Sequence, residues 1–204
     1  MATVYNDCNQ PPIPAVYSQG DPMSHPFLSF SPSTHKRLFW SFLVLTIIAT
    51  LVLQIIDGAL QTAAAPSGIV SYELAGTATA AGNILSSWDA NAQLHAAFSL
   101  GFDYLYMLAY TVTLALVALW LAEVQTGLMR TLGVLLAWGM GIAGLADALE
   151  NYFLWQMLVS GANDTAAMMA HWAALVKFGL IILTFVYVIV ALLSYRLVRQ
   201  KSTS

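Results

Sequence analysis

Between Asp103 and Glu123 the chain reads YLYMLAYTVTLALVALWLA (residues 104–122), and between Lys177 and Arg196 it reads FGLIILTFVYVIVALLSY (residues 178–195). Neither stretch holds a charged side chain. Crossing the ~30 Å hydrocarbon layer of a bilayer takes roughly 20 apolar residues in a helix, and a soluble core helix rarely sustains an uncharged run of that length. Two further segments qualify on the same grounds. The expected spans are 38–60, 94–122, 132–158 and 169–195, giving an all-α fold built as a four-transmembrane-helix bundle.

The composition agrees. Of 204 residues, 59% are apolar and 8% charged, against ~45–50% and ~25% in ordinary soluble domains. Seven Lys and Arg against ten Asp and Glu leave a formal charge of −3, so no basic surface points to nucleic acid. A single cysteine, Cys8, rules out an internal disulfide framework and a cysteine-based metal cluster. No cofactor and no metal site is expected.

Residues 1–35 carry six prolines and no apolar periodicity, which reads as a disordered Pro-rich tail preceding a membrane domain over 36–201. No basic start followed by an apolar stretch occurs before Lys36, so the first hydrophobic segment is expected to be retained as a span rather than removed as a signal peptide. Met23 is an alternative start. Lys36 and Arg37 precede the first span, Arg130 lies between the second and third, and Arg196, Arg199 and Lys201 follow the fourth. All six fall on one side, so the chain is expected to be a multi-pass protein of the cell (inner) membrane with both termini cytoplasmic.

The longer external loop, about 61–93, is patterned. After Ala65-Pro66-Ser67-Gly68, residues Val70, Leu74, Ala78, Ala81, Leu85 and Trp88 recur every three or four positions, which predicts an external amphipathic helix between the first two spans, lying on the membrane surface or across the bundle mouth. Asn163-Asp164-Thr165, in the shorter loop, fits a glycosylation sequon.

Ionisable groups inside spans are costly and need a reason. Asp103, Asp147, Glu150 and Lys177 all fall toward the same, outer half by helix rise. Polar residues also form stripes at helical spacing: Thr46, Thr50, Gln54, Asp57 and Gln61; Ser99, Asp103, Tyr106, Tyr110 and Thr113; Asp147, Glu150 and Asn151; Lys177, Thr184, Tyr187 and Ser194. Such stripes normally point inward. The candidate ligand- or ion-binding residues are therefore Asp103, Asp147, Glu150, Asn151, Lys177 and Tyr110. One buried cation does not neutralise three carboxylates, so a proton or a bound cation is needed to balance them. Asp57 and Glu73 are expected to be solvated loop or interface residues, and His95 and His171 interfacial rather than ligating. Gly133, Ala137, Gly141, Gly144 and Ala148 predict a face that packs closely against another helix.

The run Glu73-Leu74-Ala75, with Ile84-Leu85 and Trp88, Phe102-Asp103-Tyr104-Leu105 with Tyr110, Leu145-Ala146-Asp147 with Glu150-Asn151, and Val176-Lys177-Phe178 resembles a family of small bacterial four-helix integral membrane proteins without an assigned activity. The likeness spans about residues 70–195 and implies no substrate or cofactor. Three readings follow from the residues. The first is a membrane protein binding a cation, a proton or a small polar or lipid-like ligand at the acidic and lysine cluster. The second is a structural or accessory subunit in which that cluster only orients helices. The third is a lipid-modifying enzyme, which lacks a nucleophile or metal motif to support it. The expected partners are the lipid bilayer, that ligand or cation, and further copies or a larger membrane complex.

Overall fold

The computed structural model describes residues 25–201. Residues 1–24 of the expected tail lie outside the described residues. The structure is all helix, with no strand among those residues. Four helices are long and apolar enough to cross a membrane: α1 (Pro32–Asp57), α4 (Ala90–Glu123), α5 (Gly127–Ser160) and α6 (Asp164–Lys201). Two short helices, α2 (Ile69–Glu73) and α3 (Ala78–Ser87), lie between α1 and α4.

Three of the four long helices start where a side chain supplies a cap, whereas α5 follows Thr126 without one. Ser31 precedes Pro32 and its Oγ accepts the Thr34 N–H at 3.2 Å, with proline at the first helical position. Asp89 Oδ1 accepts from Ala92 N at 2.8 Å and Asn163 Oδ1 from Ala166 N at 2.9 Å. Ordered structure begins earlier than the proline content implied, because Pro26–Ser29 forms a 3-10 turn and the His25 ring sits 4.7 Å from that of Trp138. The Pro-Ser-Thr sequence at residues 32–34, read as tail, is the first turn of α1.

The long helices α4, α5 and α6 pack on one another, and α1 packs along α4 without a comparable contact to α6. Small residues set the spacing of α5. A Cβ on Gly133 would overlap the Tyr187 hydroxyl and lie 2.8 Å from Ala122 Cβ, and one on Gly144 would lie 3.3 Å from Thr111 Cγ2. Gly141 has open space around it, so the predicted close-packed face is real at Gly133, Ala137 and Gly144 and absent at Gly141.

Residues 58–89 cover one end of the long helices, here the capped end. The expected single helix over 70–88 is interrupted: the chain breaks after Glu73, Gly76 takes φ +72°, and Thr77 caps α3 by accepting the Ala80 N–H at 3.2 Å. The inward face differs from the predicted one before this break and matches it at Ala81 and Trp88 beyond it. Tyr72, Glu73, Ala81, Ile84 and Trp88 are buried, whereas Val70 and Leu74 are exposed. Trp88 Nε1 donates to Leu60 O, at the end of the Gly58–Leu60 turn, at 2.8 Å, and Tyr72 OH donates to Leu154 O within α5 at 3.0 Å, so both aromatic polar tips are paired while their rings fill the core under the cap. Asp57 is a structural anchor here. Its Oδ1 accepts the Ile69 N–H at 2.7 Å, and Gly68, at φ +55°, lies so close that any side chain would overlap the Asp57 carboxylate.

Candidate functional site

Just beneath the cap, four elements bring ionisable groups together. Lys177 of α6 is 5% exposed, and its Nζ lies 2.8 Å from Glu150 Oε1, 3.1 Å from Asp147 Oδ1 and 3.5 Å from Glu73 Oε2. An ammonium has three N–H donors, and here each has a carboxylate. The same nitrogen sits 4.6 Å from the Phe178 ring centroid. Asp147 is doubly engaged, because its Oδ2 accepts the Tyr110 hydroxyl at 2.8 Å. Glu150 is fully buried and its Oε2 has no hydrogen-bond partner. One turn along α5 from Asp147, Asn151 Nδ2 donates to Asp103 Oδ2 on α4 at 2.6 Å.

The helical spacing explains the convergence. Asp147, Glu150 and Asn151 are three and four apart and share a face of α5, while Asp103 and Tyr110 are two turns apart on α4. The structure thus brings Asp103, Tyr110, Asp147, Glu150, Asn151 and Lys177 into one constellation. Of the fourth polar stripe only Lys177 belongs to it. Thr184, Tyr187 and Ser194 are directed elsewhere: Ser194 pairs with Gln125, and the buried Tyr187 hydroxyl packs on Gly133 without a hydrogen bond.

Glu73 corrects the sequence reading. Expected as a solvated loop residue, it is 8% exposed and forms the third side of the lysine cage. It arrives there because Gly68 and the Asp57 carboxylate start α2 immediately above the site, which sends the last residue of that one-turn helix inward. Burial raises the Glu73 carboxyl above its ordinary range; Lys177 draws it back and Asp147 raises it again. Glu73 is the most distant of the three claimants on a single ammonium, so desolvation prevails over its ion pair. The signal available beforehand was the charge count itself, which called for scrutiny of every nearby acid.

A cavity of about 510 Å³ adjoins the cluster. One end is walled by Glu73, Asp103, Asp147, Asn151 and Lys177, and Asp57, Thr46, Thr50 and Gln54 of α1 face it from the opposite side. The remainder is mainly apolar, lined by residues such as Leu43, Leu53, Ile181 and Phe185, with Ser99, Tyr106, Tyr110 and Thr113 of α4 beside them. α1 and α6 both line the cavity without packing closely on each other. Among the described residues no three His, Cys, Asp or Glu side chains are grouped as metal ligands. His95 and His171 are apart from the cavity, and His171 Nδ1 meets Leu74 O at 3.1 Å. Comparison with protein-family models, curated proteins and solved structures finds no match to this chain.

Proposed function

We propose that this multi-pass membrane protein binds a small polar or lipid-like ligand, or a cation, in the cavity beneath its cap, with Asp103, Tyr110, Asp147, Asn151 and Lys177 at the polar end and Glu150 behind them on Lys177. The observation that carries the reading is the cavity's division into a carboxylate-rich end and an apolar arm. A chamber of this size and mixed lining is typical of small-ligand sites. The binding groups have distinct roles. Asp103, half-buried and held by Asn151, presents a carboxylate to the cavity, whereas Asp147 and Glu150 are occupied chiefly by Lys177. In the cell membrane, six basic residues on one side put both termini in the cytoplasm and the cap, with its amphipathic segments, on the outer side.

Native mass spectrometry after mild extraction tests the ligand reading. Material retained by the parent protein should be lost in Asp103→Asn while the variant stays folded; equal retention in both removes the proposal. Sidedness is tested with Cys8, the chain's one thiol. An impermeant maleimide should label it only after permeabilisation, and labelling in intact cells would reverse the topology.

A structural role for the lysine cage is favoured by a separate observation: the cage ties α2, α5 and α6 together and uses all three lysine donors. On that reading Lys177→Met combined with Glu150→Leu is tolerated, and retention of ligand is indifferent to Asp103.

A further inference from the structure

At the polar end of the cavity the charged and strongest hydrogen-bond donors are committed to the cluster's own acids. Lys177 directs its three N–H groups at three carboxylates, Tyr110 gives its proton to Asp147, and Asn151 donates to Asp103. Three threonine hydroxyls of the wall are committed as well, which leaves the neutral donors of Gln54, Ser99 and Tyr106 in the lining. Thr46 donates to Phe42 O, Thr50 to Thr46 O and Thr113 to Ala109 O, each at 2.8 Å, so what they turn to the cavity is lone pairs. Inside the cluster the shortage is the same, since the fully buried Glu150 Oε2 lacks any partner. Four carboxyl groups stand against one ammonium. An anionic headgroup would meet an excess of carboxyl groups, a saturated ammonium and only neutral donors, whereas a group that brings both positive charge and N–H donors is matched by the carboxylates.

The apolar arm constrains the rest of the ligand. From Lys177 to Phe185 along α6 is eight residues, about 12 Å at helix rise, and this wall faces Leu43 and Leu53 of α1 across the cavity. α1 and α6 line it without packing closely on each other, a seam by which a lipid-like ligand would enter from within the membrane.

The geometry points to a primary alkylamine, a single-chain amphiphile with a protonated amino head, as the ligand class, its head on Asp103 and its chain along α1 and α6. This deepens the ligand-binding reading of the same cavity and rests on it.

The test uses the full chain in phosphatidylcholine nanodiscs with three probes of equal chain length: dodecylamine, dodecyltrimethylammonium and dodecanoate. Dodecylamine should bind saturably at one site. Dodecyltrimethylammonium, which keeps the charge but has no N–H, should bind about tenfold more weakly, matching the loss of a charge-assisted hydrogen bond. Dodecanoate should not bind saturably. Asp103→Asn should weaken dodecylamine about tenfold, Asp103→Glu should restore it, and Ile181→Trp, which fills the apolar arm, should weaken it with the polar end intact. Dodecanoate binding as tightly as dodecylamine, or dodecylamine binding unchanged in both Asp103→Asn and Ile181→Trp, overturns the ligand class. If the amine fails but extracted protein still retains Asp103-dependent material, the class is wrong and the cavity reading stands. If neither occurs, both fall.

Discussion

Replacing Lys177 with methionine removes the one cation from a buried cage of three carboxylates while keeping most of the side-chain volume. With Nζ at 2.8, 3.1 and 3.5 Å from the three oxygens, the gross attraction at an effective dielectric of ~20 is about 16 kcal/mol. Most of it is offset by the cost of taking the charged groups out of water and by repulsion among the carboxylates, which Glu73 relieves while it holds its proton. Breaking such a group from one side leaves the carboxylates uncompensated, and the net loss for buried pairs is about 3–5 kcal/mol, a large part of a typical ~5–15 kcal/mol total. Lys177→Met should therefore lower the melting temperature in nanodiscs by on the order of 10 °C. A variant in which Glu73→Gln, Asp147→Asn and Glu150→Gln accompany Lys177→Met removes the charges together and should recover more than half of that loss, because hydrogen-bonding capacity is kept and the desolvation cost disappears. Melting of Lys177→Met within a degree or two of the parent would refute the reasoning, as would a combined variant less stable than the single one.

Three further outcomes follow from particular contacts. Gly68→Ala meets both a left-handed backbone and the Asp57 carboxylate, so it should cost about 1–3 kcal/mol and free α2, read as faster hydrogen exchange over residues 69–75. Gly133→Ala should cost about 1–3 kcal/mol through overpacking against Tyr187, and Tyr187→Phe in the same chain should recover part of it by calorimetry. Glu73, whose carboxyl is raised by burial, contributes stability below its unfolded pKa that is lost as pH rises through the folded value. Facing Lys177, Asp147 and Glu150, it should make thermal stability fall toward alkaline pH, and Glu73→Gln should flatten that slope; an unchanged slope would show that Glu73 is not the titrating group.

The long helices were legible because uncharged runs such as 104–122 leave few alternatives to a membrane span. The constellation on α4, α5 and α6 was legible for a related reason: ionisable residues are so rare within spans that helical spacing alone shows which of them share a face. What escaped is set by chain reversal. Glu73 is separated from α1 by a turn whose course depends on Gly68, on the Asp57 carboxylate and on the positive φ at Gly76, and none of these is visible as periodicity. Regular spacing across Val70, Leu74 and Ala78 suggested one helix where the backbone makes two, so the inward face was assigned to the wrong residues in α2, while Ala81 and Trp88 are buried as the spacing predicts. At Ser31-Pro32 the helix-start chemistry was present, and the surrounding prolines obscured it.

The one-sided packing of α1 has a consequence for any measurement on the cavity. With only α4 behind it and Ile55 80% exposed, this helix forms a wall whose outer support is acyl chains. Lipid is then a structural component of the pocket in the way a neighbouring subunit would be. Bilayer thickness sets how far α1 tilts from its neighbours, so pocket width and occupancy should vary with acyl-chain length, and affinities measured in a micelle and in a bilayer should differ for the same chain.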